Sequence, residues 1–102
     1  MLFDTHCHLN FKAFEGTYKE VIRESIKKEV KINNVGSQYA TSVRAVEIAQ
    51  EFEDDPIFAT VGLHPAHVGI EKRDFMDQNE VGEGLKPSPT IYEFDYEKYK
   101  EL

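Results

Sequence analysis

Two imidazoles two residues apart, His6 and His8, are the sharpest chemical feature of the chain. On an extended strand, side chains two apart point the same way, with Cα atoms about 6.6 Å apart. Two imidazoles at that spacing can converge on one divalent ion at about 2.1 Å each. Cys7, between them, faces the opposite way and reads as a small buried residue beside the site. Asp4 shares the parity of the two histidines, which makes it a candidate to orient a ligand from behind, while Thr5 falls on the Cys7 side. A His-x-His pair is also a common surface feature. Position strengthens the metal reading, because ligands of parallel α/β folds gather at the C-terminal ends of strands.

A second cluster, Gly62-Leu63-His64-Pro65-Ala66-His67, follows the third apolar stretch and would occupy the same end of a sheet. His64 reads either as a site residue or as a loop residue fixed by Pro65, and His67 as solvent-exposed. A third segment, Asn34-Val35-Gly36-Ser37-Gln38, offers a glycine that permits close backbone approach and two side chains able to bond a substrate. An ordinary strand-to-helix turn explains it more simply. Glu51, Glu53, Asp54 and Asp55 read as a solvated helix end.

Alternating strands and helices position these residues. A short strand opens the chain and ends in the polar Thr5 and His6. A loop over 11–16 leads to Thr17, which with Glu20 three residues on predicts a capping box. Tyr18, Val21, Ile22, Ser25 and Ile26 then form one helical face. A second strand over 32–35 ends at Gly36. Thr41 or Ser42 is expected to cap a second helix, with Ala45, Ile48, Ala49 and Phe52 on one side. Asp54-Asp55-Pro56 breaks it. The third strand, over 57–61, is nearly all apolar, as for a strand covered on both faces. This order predicts a parallel α/β sheet. Residues 1–67 therefore form a motif-bearing βαβαβ unit. The stretch 68–94 reads as a long loop or insertion, and Asp95 as the cap of a short helix over 96–102.

Length and charge bound the reading. The 102 residues carry 12 Lys and Arg against 19 Asp and Glu, a formal charge of −7. No Lys/Arg stripe of the kind that holds nucleic acid by charge alone is present. Phosphate handling would therefore draw its positive charge from a metal ion. No apolar run approaches the roughly 20 residues of a membrane helix, and the first residues do not read as a signal peptide. With a single cysteine, a cytoplasmic protein is the default expectation.

These motifs together resemble the TatD-type metal-dependent hydrolases. The matching segments are Leu2-Phe3-Asp4-Thr5-His6-Cys7-His8-Leu9, Asn34-Val35-Gly36-Ser37, Thr41-Ser42 and Val61-Gly62-Leu63-His64-Pro65, in that order over residues 1–67. The resemblance implies a TIM-type (β/α)8 barrel related to the amidohydrolases, of which this chain supplies about three βα units. It implies one or two divalent ions, Mg, Mn or Zn, at the barrel mouth, and hydrolysis of phosphodiester bonds, usually in DNA. By the same resemblance His6 and His8 match the first metal ligands and His64 a substrate contact. The family's further ligands, a glutamate, two histidines and a late aspartate that would act as general base, lie beyond the segment matched. Asn10 stands where the family commonly has Asp, and residues 69–90 are longer and less patterned than its usual loop.

The chain thus reads as a C-terminally truncated hydrolase, about the first two-fifths of such an enzyme. Two imidazoles fall short of the three or more protein ligands of a catalytic site, so the 102 residues alone are expected to be inactive. A small non-catalytic α/β domain or decayed fragment with a binding role is the alternative from another class. Within enzymes the rival is another His-x-His phosphoesterase, against which the Gly62-Leu63-His64-Pro65 segment weighs.

Overall fold

A computed structural model describes residues 1–65 and 94–102. His67 and all of the expected 68–94 loop except Phe94 lie outside the described residues. Three strands, β1 (Leu2–Cys7), β2 (Val30–Val35) and β3 (Ile57–Thr60), form one parallel sheet in the order β1-β2-β3. Helix α1 (Tyr18–Lys27) connects β1 to β2, and α2 (Tyr39–Glu51) connects β2 to β3. Three parallel strands joined by helices agree with the opening units of a barrel. The loop expected over 11–16 contains a single 3-10 turn, Lys12–Phe14.

Both helices pack on one face of the sheet. Leu9, Tyr18, Ile22, Ile32, Ile48 and Ile57 form the buried core, with Cys7, Ile26 and Phe52 packed against it. The helical periodicities explain this for Tyr18, Ile22 and Ile26 on α1 and for Ala45 and Ile48 on α2. Val21, assigned to the same apolar face from its spacing, is instead 39% exposed. It sits at the rim of that face, one residue out of the buried stripe.

The other face of the sheet is open, contrary to the expectation that β3 is covered on both sides. Phe58 is 47% and Phe3 48% exposed, and their rings meet across β2 at 5.6 Å between centroids. Asn33 ties the three strands on this face: its Nδ2 donates to Thr5 O at 3.1 Å and to Thr60 Oγ1 at 2.8 Å. Both described crossover helices lie against Ile32 and Ile57, so among the described residues neither helix covers the open face.

The helix starts differ from the sequence reading in detail. Thr17 flanks α1, but its backbone (φ −127°, ψ −8°) is not extended and its side chain makes no capping bond, so no capping box with Glu20 forms. Helix α2 begins at Tyr39, and the residue before it is Gln38, not Thr41 or Ser42. Thr41 lies within the first turn and reaches back, its Oγ1 accepting the N–H groups of Ser37 at 2.8 Å and Gln38 at 3.0 Å. Ser42 Oγ bonds the backbone of Gly62, accepting from its N–H at 3.1 Å. The early start follows from Gly36, which lets the chain turn against α2. A Cβ there would lie 2.2 Å from Ser42 Oγ and 2.6 Å from Ser42 Cα.

The capping expected at Asp95 is present: its Oδ1 accepts the N–H of Lys98 at 3.2 Å, opening α3 (Tyr96–Lys100). Tyr99 is buried and meets Tyr39 edge-on at 5.5 Å, so α3 docks on the first turn of α2. Among the described residues no helix is long and apolar enough to cross a membrane.

The burial contrast on α1 is directly measurable. Ile22→Ala removes a fully buried side chain and is expected to lower unfolding stability by about 2–5 kcal/mol. Val21→Ala should stay within about 0.5 kcal/mol of the parent chain. Denaturant midpoints of the two variants would refute the packing described if they shifted equally.

Candidate functional site

The end of β1 is built by an irregularity. Asp4 registers with Ile32 and Cys7 with Asn34, so three residues advance on β1 while two advance on β2. Ile32 and Asn34 share a face of β2, so Asp4 and Cys7 share that face too. This corrects the parity expected from an unbroken strand, which grouped Asp4 with the two histidines and Thr5 with Cys7. Cys7 packs toward the helix-covered core, and His6 and His8 turn away from it together. Asp4 touches His6 only through the backbone, its Oδ1 accepting the His6 N–H at 3.2 Å.

The two imidazoles meet as the spacing suggested. Their centroids are 5.0 Å apart and the rings stand nearly perpendicular. His8 Nδ1 lies 2.9 Å from Val35 O. A carbonyl only accepts, so Nδ1 must carry the proton, and in the neutral ring Nε2 keeps its lone pair. That is the arrangement of a metal-binding histidine, whose second nitrogen is anchored to a carbonyl or carboxylate. Phe11 stacks on the same ring at 4.2 Å and 22°. His8 is thus fixed on one face by an aromatic ring and at one nitrogen by the backbone.

Residues 7–10 are gripped by the end of β2. The buried Asn34 Oδ1 accepts the Leu9 N–H at 3.0 Å and faces Cys7 Sγ at 3.3 Å. Val35 O accepts from Asn10 Nδ2 at 3.2 Å as well as from His8, and Asn10 Nδ2 also donates to Thr41 O at 2.8 Å. Asn10 therefore acts as a donor to two carbonyls, a role that a carboxylate could not fill. The sequence reading gave Asn34 no part in the His8 site and missed the Phe11 stack. Two adjacent asparagines in a central strand, where β-branched residues are usual, were the available signal.

His64 is exposed, and its N–H donates to Ser37 O at 2.7 Å, which ties the segment after β3 to the turn after β2. Ser37 and Gln38 are buried and engaged by Thr41, so that segment is a structural turn. The close approach allowed by Gly36 is to Ser42. Glu51 is not merely solvated: it accepts from Tyr18 Oη at 2.9 Å and pairs with Lys19 at 3.1 Å. Among the described residues no group of three or more His, Cys, Asp or Glu side chains is placed to hold a metal ion. The described part of the site is therefore the His6–His8 pair.

Cys7 is chemically quiet. Burial pushes its thiol up to about 11, the nearby Asp4 charge adds to this, and the Leu9 N–H opposes it. The thiolate is then the disfavoured form throughout the neutral range. Alkylation of the folded chain by iodoacetamide at pH 8 should run at least about tenfold slower than that of the urea-unfolded chain. Equal rates would contradict the burial of the thiol.

A family profile described as TatD related DNase matches residues 3–88. The uncharacterised metal-dependent hydrolase YabD of Bacillus subtilis is 42% identical over 66 residues, 64% of this chain and 25% of that protein. The uncharacterised metal-dependent hydrolase MJ1582 of Methanocaldococcus jannaschii is 35% identical over 70 residues, 69% of this chain and 27% of that one. The uncharacterised metal-dependent hydrolase YjjV of Escherichia coli is 26% identical over 88 residues, covering 85% and 32%. No solved structure matches. The chain spans about a quarter to a third of the length of these relatives. With the matched profile covering most of its residues, the chain belongs to the TatD-related DNase family.

Proposed function

We propose that this chain is the metal-binding opening of a divalent-metal-dependent hydrolase that cleaves phosphodiester bonds, with DNA as the substrate class. His6 and His8 are its first two ligands, at the mouth of a (β/α)8 barrel whose later strands supply the rest. The observation that carries the reading is the His8 Nδ1–H bond to Val35 O in a ring whose centroid lies 5.0 Å from that of His6. Support comes also from the relatives, each named as a metal-dependent hydrolase.

The donor chemistry fits the ion. Two neutral imidazoles suit zinc, iron, nickel and copper better than the oxygen-preferring magnesium and manganese. When bound, such an ion supplies a water activated near neutral pH and positive charge for phosphate oxygens. The chain's own residues do the positioning. The Asp4 carboxylate holds the His6 backbone, and Val35 O sets the tautomer of His8. The Phe11 ring keeps one face of that imidazole dry. His64, on the segment anchored to Ser37, is the proposed contact to a substrate phosphate. The formal charge of −7 leaves little other positive charge to attract a phosphodiester, which favours the metal as the anion-binding element.

Titration calorimetry with Zn²⁺ and Mn²⁺ tests the ligand assignment. His6→Ala and His8→Ala should each weaken binding to the chain at least about tenfold, since each removes one of the two imidazoles assigned to the ion. Unchanged affinity in both variants would overturn it.

A further inference from the structure

We propose that Asn34 is a positioning residue that aims the His8 imidazole. This inference rests on the reading of His8 as a metal ligand. Asn34 does not touch His8. It holds the residues on either side of it, through the Leu9 N–H at 3.0 Å and the Cys7 thiol at 3.3 Å. With both flanks fixed to β2, the short path through Cα and Cβ of His8 delivers Nδ1 to the next carbonyl along, that of Val35.

Stability alone does not account for an asparagine at this place. Asn34 is 0% exposed and its β2 neighbour Ile32 lies in the core. The Leu9 N–H needs an acceptor, so the amide cannot flip, and Nδ2 is left as a buried donor without a partner. Burying half an amide unsatisfied is costly, and a branched apolar side chain would suit a central parallel strand better. What the asparagine provides is a buried acceptor, short enough to reach both neighbours of His8 from one Cα. Local rules of this kind are broken where a site demands it. The end of β1 supplies the need: the register slips between Asp4 and Cys7 and the strand stops at Cys7, so regular pairing does not determine where residues 8 and 9 sit.

The tautomer of His8 reports this directly and requires no metal. In a long-range ¹⁵N–¹H spectrum of the whole chain at pH 8.5, where an ordinary imidazole is neutral, wild-type His8 should show the Nδ1–H form alone. Asn34→Val should lower the share of that form at least about twofold and raise the Zn²⁺ dissociation constant about tenfold. Asn34→Asp keeps an acceptor oxygen for the Leu9 N–H and the Cys7 thiol and should preserve the tautomer. An unchanged tautomer in folded Asn34→Val, or its loss in folded Asn34→Asp, overturns the proposal. Should neither variant fold, hydrogen exchange in the wild type decides: Leu9 N–H protected like the core amides supports the clasp, and rapid exchange refutes it. If the wild type fails to bind Zn²⁺, the ligand reading falls, while the tautomer comparison still judges the role of Asn34.

Discussion

The site depends on two adjacent residues at the end of β2. Asn34 and Val35 receive hydrogen bonds from four consecutive residues of the β1 end: the Cys7 thiol, the His8 ring, the Leu9 amide and the Asn10 side chain. The register slips before Cys7 and β1 stops there, so beyond it the clasp replaces the ladder just where the His8 imidazole must be held. Each element below serves that junction. The Ile22, Ile32, Ile48 and Ile57 core fixes β2 from the helix side, and Asn33 ties it to β1 and β3 from the open side. The polarity of the bonds also explains Asn10, whose amide must donate to two carbonyls at once.

The helix-covered and open faces divide the labour of the sheet. The covered face carries the core. The open face carries Phe3 and Phe58 in contact with each other, and exposed apolar side chains of this size are unusual in number for so short a sheet. In a closed barrel that face would be the packed interior, which is the sense in which a quarter-length segment has a core on one side only. The same geometry places His6 and His8 at the C-terminal end of β1, where such folds assemble their chemistry.

Much of this was legible in the residues themselves. Alternating strand and helix patterns pointed to the parallel sheet, since apolar spacing reflects burial that Ile22 and Ile48 do show. The His-x-His spacing foretold that the two rings would meet. Parity failed at Asp4, because a bulge is set by pairing with a distant strand and leaves no periodic trace in the chain that contains it. Capping failed at Thr17 because its own backbone is not extended, and it shifted at Thr41 because the extended residue before α2 is Gln38, with Thr41 reaching back from the first turn. The clasp by Asn34 was hidden for the same reason as the bulge: its partners lie 25 and 27 residues away.

The central claim is that His6 and His8 together hold one divalent ion. Zinc-edge X-ray absorption on the Zn²⁺-loaded chain tests it most directly. Imidazole nitrogens are expected at about 2.0–2.1 Å from the zinc, their number falling when His8→Ala is compared with the parent. A spectrum unaltered by replacing both histidines with alanine would contradict it.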